Sequence, residues 1–170
     1  MKIFAFLILV LIADFAMGDD IYMCFAKNVS FGGSHVKTEF VDADDFYIGL
    51  KACGEPRTLL IFPNYLDSIE LAFKNPDTNT FQLIKYYGKE VLVETGEVVL
   101  DCNEMKYFWL NKANGTLTIG RGLQSGTDTL TTYPNPLTDG FDWSGVFFAN
   151  VGGDAAEFEK QCGRLCLRPE

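Results

Sequence analysis

Few side chains in this sequence could carry chemistry, and most of those are acidic, aromatic or sulfur-bearing. His35 is the single histidine and sits in the polar stretch Phe31-Gly32-Gly33-Ser34-His35. No Gly-x-Ser-x-Gly elbow accompanies it, so a serine–histidine nucleophile has no support. A lone histidine in such a loop reads as a solvated surface residue, although Asp or Glu can also act as a base. Asp42, Asp44 and Asp45 form one acidic group, and Asp139 and Asp142 another. Carboxylates are hard ligands that suit calcium, but at the corners between strands they more commonly solvate a turn. Cys162 and Cys166, with only His35 as a nitrogen donor, make a poor zinc set. No metal and no cofactor is therefore expected.

Trp143 is the most suggestive ring. It follows Pro136-Leu137-Thr138-Asp139-Gly140-Phe141-Asp142, where a loop runs into a strand. An aromatic plate bordered by Asp139 and Asp142 suits sugar stacking and hydrogen bonding to hydroxyls, and sandwich loops carry such sites. Arg121, in Ile119-Gly120-Arg121-Gly122, could meet an acidic group of a ligand or a surface carboxylate. Core packing competes as the explanation of Trp143. Trp109, between Phe108 and Leu110, reads as structural.

The address of these residues is extracellular. Lys2 precedes an apolar run over residues 3–13, and Ala16-Met17-Gly18 offers the small residues of a signal-peptidase site. Asp14 ends the run too early for a spanning helix of ~20 apolar residues. Residues 1–18 are thus expected as a cleaved leader and residues 19–170 as one secreted domain. The net charge of −9 excludes nucleic acid and anionic lipid surfaces as natural partners. Two sequons, at Asn28 and Asn114, point to glycosylation.

Five cysteines, Cys24, Cys53, Cys102, Cys162 and Cys166, suit an oxidising compartment. The odd count leaves one as a buried thiol or as a link to a second chain. Because domain termini commonly lie close together, Cys24 is expected to pair with Cys162 or Cys166.

The elements that must hold these groups are short strands. Apolar and polar residues alternate over 36–41, 46–52, 69–74, 81–87, 90–93 and 97–100, with a short apolar run at 58–62. Residues 144–151 are strand-like, and 155–161 fit a strand or a helix equally. The clearest hairpin spans residues 106–120, where Asn114-Gly115 is a favoured type I′ turn pair. Such a pattern predicts an all-β fold, an antiparallel β-sandwich or jelly roll. Aromatics make up 14% of the chain, and most of the phenylalanines fall on alternating strand positions that should face a core.

Several segments together resemble the farnesoic acid O-methyltransferase-like domain family of invertebrate proteins. They are "FVDADDFYIGL" (40–50), "SIELAF" (68–73), "YFWLNKANGTLTIGRG" (107–122) and "WSGVFFANVGGDAAEF" (143–158), the last with Phe158 where the family has Trp. The resemblance covers residues 40–158 and implies a β-sandwich used for extracellular binding. It does not bring methyltransferase chemistry. No Gly-x-Gly-x-x-Gly opens a helix, and Val98–Met105 offers an acidic residue without the glycines that let a backbone approach S-adenosylmethionine.

The residues therefore favour a secreted binding or interaction module over an enzyme, with extracellular glycan as its ligand class. The alternative is an enzyme or carrier for a small apolar molecule, terpenoid- or acyl-like, inside an aromatic-lined sandwich. A third reading is a structural protein linked through the odd cysteine.

Overall fold

The computed structural model describes residues 21–73, 80–97, 100–152 and 154–164. The expected leader and Cys166 lie outside these residues, as does the middle of the strand expected at 97–100. Among the described residues twelve strands form two six-stranded antiparallel sheets. The back sheet runs, in spatial order, β1 (Ile21–Val29), β12 (Ala156–Arg164), β3 (Asp45–Lys51), β8 (Lys106–Ala113), β9 (Thr116–Arg121) and β10 (Thr129–Pro134). The front sheet runs β2 (Gly32–His35), β11 (Val146–Asn150), β4 (Pro56–Leu60), β5 (Ile69–Ala72), β6 (Thr80–Lys85) and β7 (Val91–Glu97). The all-β antiparallel sandwich read from the sequence is the fold.

Side chains alternate across a strand, so every second residue faces the other sheet. Phe46, Ile48 and Leu50 of β3, Phe108 and Leu110 of β8, and Leu117 and Ile119 of β9 meet Leu60, Ile69, Leu71, Leu83, Val146 and Phe148 of the front sheet. Rings fill the gap between the layers. Phe148 stacks on Phe158 with centroids 4.7 Å apart, and Phe73 lies 4.9 Å from Phe108.

The hairpin forms as its sequence directs. β8 pairs with β9 from Phe108↔Arg121 to Ala113↔Thr116. Asn114 and Gly115 take φ of 51° and 66°, the left-handed values of a type I′ turn. Cys24 is bonded to Cys162 and Cys53 to Cys102. The first bond staples β1 to β12, joining residues 138 apart in sequence.

Two expectations are corrected. Residues 36–41 are not a strand: Thr38 Oγ1 accepts a hydrogen bond from the Phe40 amide, which turns the chain locally. The strand lies just before, at Gly32–His35, in what read as a polar loop. Of the two readings of residues 155–161 the strand is the one formed: residues 156–161 belong to β12, with β1 and β3 paired on its two sides.

Candidate functional site

The site begins with a register. His35 on β2 is opposite Phe147 on β11, Phe147 is opposite Leu59 on β4, Leu59 is opposite Glu70 on β5, and Glu70 is opposite Ile84 on β6. Their neighbours in the strands, Val146, Phe148, Leu60, Ile69, Leu71 and Leu83, face the core, so this row faces outward. A second row, Gly33, Ala149, Arg57 and Ala72, runs beside it. From these rows Gly33, Phe147, Ala149, Arg57, Leu59 and Glu70 floor a groove of about 560 Å³ on the outside of the front sheet, bordered by Phe31 and Val151 at one end and by Tyr86 and Lys89 at the other.

Charge is fixed at the centre of this groove. The Glu70 side chain is only 5% exposed, and Arg57 and Lys89 both donate to its carboxylate, Lys89 Nζ from 2.7 Å. Arg57 Nη2 also reaches Glu55 Oε2 at 3.3 Å. Burial pushes the Glu70 carboxyl up, but hydrogen bonds from Lys89 and Arg57, with their charges, outweigh it and hold the group below its ordinary value. Glu70 therefore stays ionised at neutral pH. The Lys89 ammonium also lies 4.5 Å from the centre of the Tyr86 ring.

Local backbone choices aim these groups. Gly88 and Lys89 in the β6–β7 turn have φ of 89° and 54°. For a lysine the left-handed region costs roughly 1–2 kcal/mol, and here it turns the side chain back over the sheet to Glu70 and Tyr86. On the opposite flank, a Cβ on Gly33 would fall inside the ring of Phe147. Glycine thus lets that ring lie flat on the β2 backbone, half-buried and facing the groove, with His35 edge-on at 5.1 Å. Phe31, 82% exposed, stands beside it. Aromatic faces flanking a fixed array of donors and acceptors can stack on a sugar ring and hydrogen-bond its hydroxyls.

The residues expected from the sequence to contact a ligand are occupied elsewhere. Trp143 is fully buried, 0% exposed. Its Nε1–H donates to the Ala43 carbonyl at 2.7 Å, Phe46 stacks on it at 5.3 Å, and Lys112 lies over its ring while donating to the Phe141 carbonyl. No face of that indole is open for stacking, so its role is core packing. Asp142 caps the following 3-10 turn by accepting from the Ser144 amide at 2.7 Å. Asp139 accepts from the Gly115 amide at 2.7 Å and so anchors the hairpin turn. Arg121, at the far end of β9, is 3.8 Å from Asp128. These four do not converge on one site.

Asp45 accepts from Asn111 and Ser125, and among the described residues no group of three His, Cys, Asp or Glu side chains is placed to hold a metal ion. Asn28 on β1 and Asn114 in its turn are exposed. In the sequence Arg57, Glu70 and Phe147 read as polar or spare positions of ordinary strands, and Lys89 as a turn residue. The available signal was weak: charged residues inside otherwise apolar strands.

The chain matches no family model and no curated protein. Solved structures of similar fold include a carbohydrate-binding module from Bacillus subtilis, 12% identical, with a TM-score of 0.51 over 85% of this chain and 94% of that one. A galectin from Caenorhabditis elegans is 9% identical, with a TM-score of 0.51 over 83% of this chain and 96% of that one. Identities this low establish a shared fold alone. Among the described residues no helix is long and apolar enough to cross a membrane.

Proposed function

We propose that this chain is a secreted glycan-binding module that holds sugar in the groove outside the front sheet. The observation that carries the reading is the buried Glu70 carboxylate, gripped by Arg57 and Lys89 between the rings of Phe147 and Tyr86. Held charges act as hydrogen-bonding groups whose geometry is set before the ligand arrives, which lowers the ordering cost of binding. The shared fold with a carbohydrate-binding module and a galectin supports the same ligand class. Secretion rests on the leader-like residues 1–18 and on two disulfides, which persist in oxidising compartments. Glycosylation at Asn28 and Asn114 and membership of the family resembled over residues 40–158 belong to the same proposal.

Retardation of the protein in gels containing neutral polysaccharides tests it. Wild type should be retarded by at least one polymer. Arg57→Met and Glu70→Gln should weaken that binding at least about tenfold, the effect of one lost charge-assisted hydrogen bond. Arg121→Ala and Asp142→Ala should bind as wild type does. The reverse pattern would move the site to the loops around Trp143.

A further inference from the structure

We infer that the groove takes an uncharged, linear oligosaccharide longer than a disaccharide, lying across the strands, and that Tyr65 forms its outer subsite. The inference rests on the glycan reading and adds length, charge and direction to it. The floor runs from Gly33 on β2, through β11, β4 and β5, to Tyr86 just after β6. Four gaps between neighbouring strands at ~4.8 Å each span roughly 19 Å, more than one sugar ring needs. Rings stand at both ends with charge between them, so contacts are spaced along the groove and not gathered around one sugar.

The Tyr86 end does not stop at the groove. Tyr65, in the 3-10 turn Tyr65–Asp67, packs edge-on against Tyr86 with centroids 5.3 Å apart. Asn64 fixes that turn by accepting from the Leu66 amide at 3.3 Å. Tyr65 is 46% exposed, and the next residue, Leu66, is exposed too. Exposed aromatic surface therefore continues from the groove's Tyr86 end onto Tyr65. Exposed aromatics grouped beside a polar site are the composition of a recognition surface.

Charge balance sets the kind of glycan. Arg57 and Lys89 face Glu70 and Glu55 within the same network, leaving no surplus of positive charge. The chain as a whole carries −9. A sulfated or sialylated chain would meet paired cations in a negative field, whereas neutral hydroxyls can use the remaining lone pairs of Glu70 and the guanidinium edges.

The test uses oligosaccharides of one to six residues, cut from the neutral polysaccharide that retards the protein most, in calorimetric titrations. Affinity should climb with length beyond the disaccharide and then level off. Tyr65→Ala should remove about tenfold of the gain for long chains, the size of one stacking contact, and leave the shortest binding chain unchanged. Tyr65→Phe should restore the gain. Equal affinity for short and long chains, or tighter binding of a sulfated analogue, would overturn the inference while leaving glycan binding intact. No binding by any member, with no retardation by any polymer, would overturn both readings.

Discussion

The outer faces of the two sheets use the same device to opposite ends. On the front sheet Gly33 lets the Phe147 ring lie flat against β2. On the back sheet Gly120 lets the Trp109 ring lie flat against β9, because a Cβ there would likewise fall inside the ring. Phe147 remains half-buried beside an open groove, yet Trp109 is 1% exposed. The difference is what lies above. Trp109 Nε1–H donates to the Thr127 carbonyl at 2.8 Å, and Ser125 from the same loop donates to Asp45 at 2.7 Å, so the loop after β9 is fastened over the ring. Phe147 instead lines the open groove, beside the charges at its centre. A ring laid on glycine is a platform for a ligand only where the chain itself does not occupy it.

Gly120→Ala breaks the comparison most severely. The added methyl must displace a sealed tryptophan, and overpacking of this kind costs typically 1–3 kcal/mol. Thermal unfolding should register it as a clear drop in Tm. Gly33→Ala must clear not only the Phe147 ring but also the Phe148 carbonyl oxygen, which the added methyl would meet at 2.8 Å. It too should therefore lower Tm. In addition it should remove most glycan binding, which Gly120→Ala should leave unchanged per folded molecule. Retention of glycan binding by Gly33→Ala, or its loss in folded Gly120→Ala, would mean that Phe147 is not the platform.

Gly115→Val sharpens the view of the back sheet as the rigid partner. Gly115 sits at φ 66° and its amide donates to Asp139. A β-branched residue held there costs of order 1–3 kcal/mol. Gly115→Asn should be milder, because asparagine visits the left-handed region more readily. Neither variant should alter glycan affinity per folded molecule, since the turn belongs to the other sheet. Melting of both with wild type would contradict the fastening role of the turn.

The smallest effect is on pH. The folded-state pKa of Glu70 is lowered, so the stability it contributes is present above the unfolded carboxylate value and is lost as pH falls through the folded one. The difference in Tm between wild type and Glu70→Gln should therefore be constant near neutrality and shrink below the ordinary carboxylate range. A difference independent of pH down to that range and beyond would mean that Glu70 is not held ionised by Arg57 and Lys89.

What could be read in the sequence was local. Asn114-Gly115 announced its turn because two residues decide it, and alternation exposed β3, β5 and β6 because the period is short. The nearness of termini pointed Cys24 to Cys162 or Cys166, and the bond is to Cys162. The groove was illegible for the opposite reason. Arg57 and Glu70 meet only because β4 and β5 pair Leu59 with Glu70, and Phe147 joins them through a strand nearly eighty residues on. No local pattern encodes that neighbourhood. Trp143 misled because Asp142 and Asp139 beside it looked like ligand carboxylates, while one caps a turn and the other holds the hairpin. β1 and β2 went unread since glycines and exposed residues mask edge strands.

The central claim is the location of the glycan, and amide chemical-shift mapping tests it most directly. With ¹⁵N-labelled protein and fragments of the retarding polysaccharide, the largest shifts should fall on Arg57, Leu59, Glu70, Phe147 and Ala149, with Tyr86 and Lys89 at the rim. The amides around Asp139, Asp142 and Trp143 should stay in place. Shifts concentrated there, or on the back sheet over Trp109, would contradict the account.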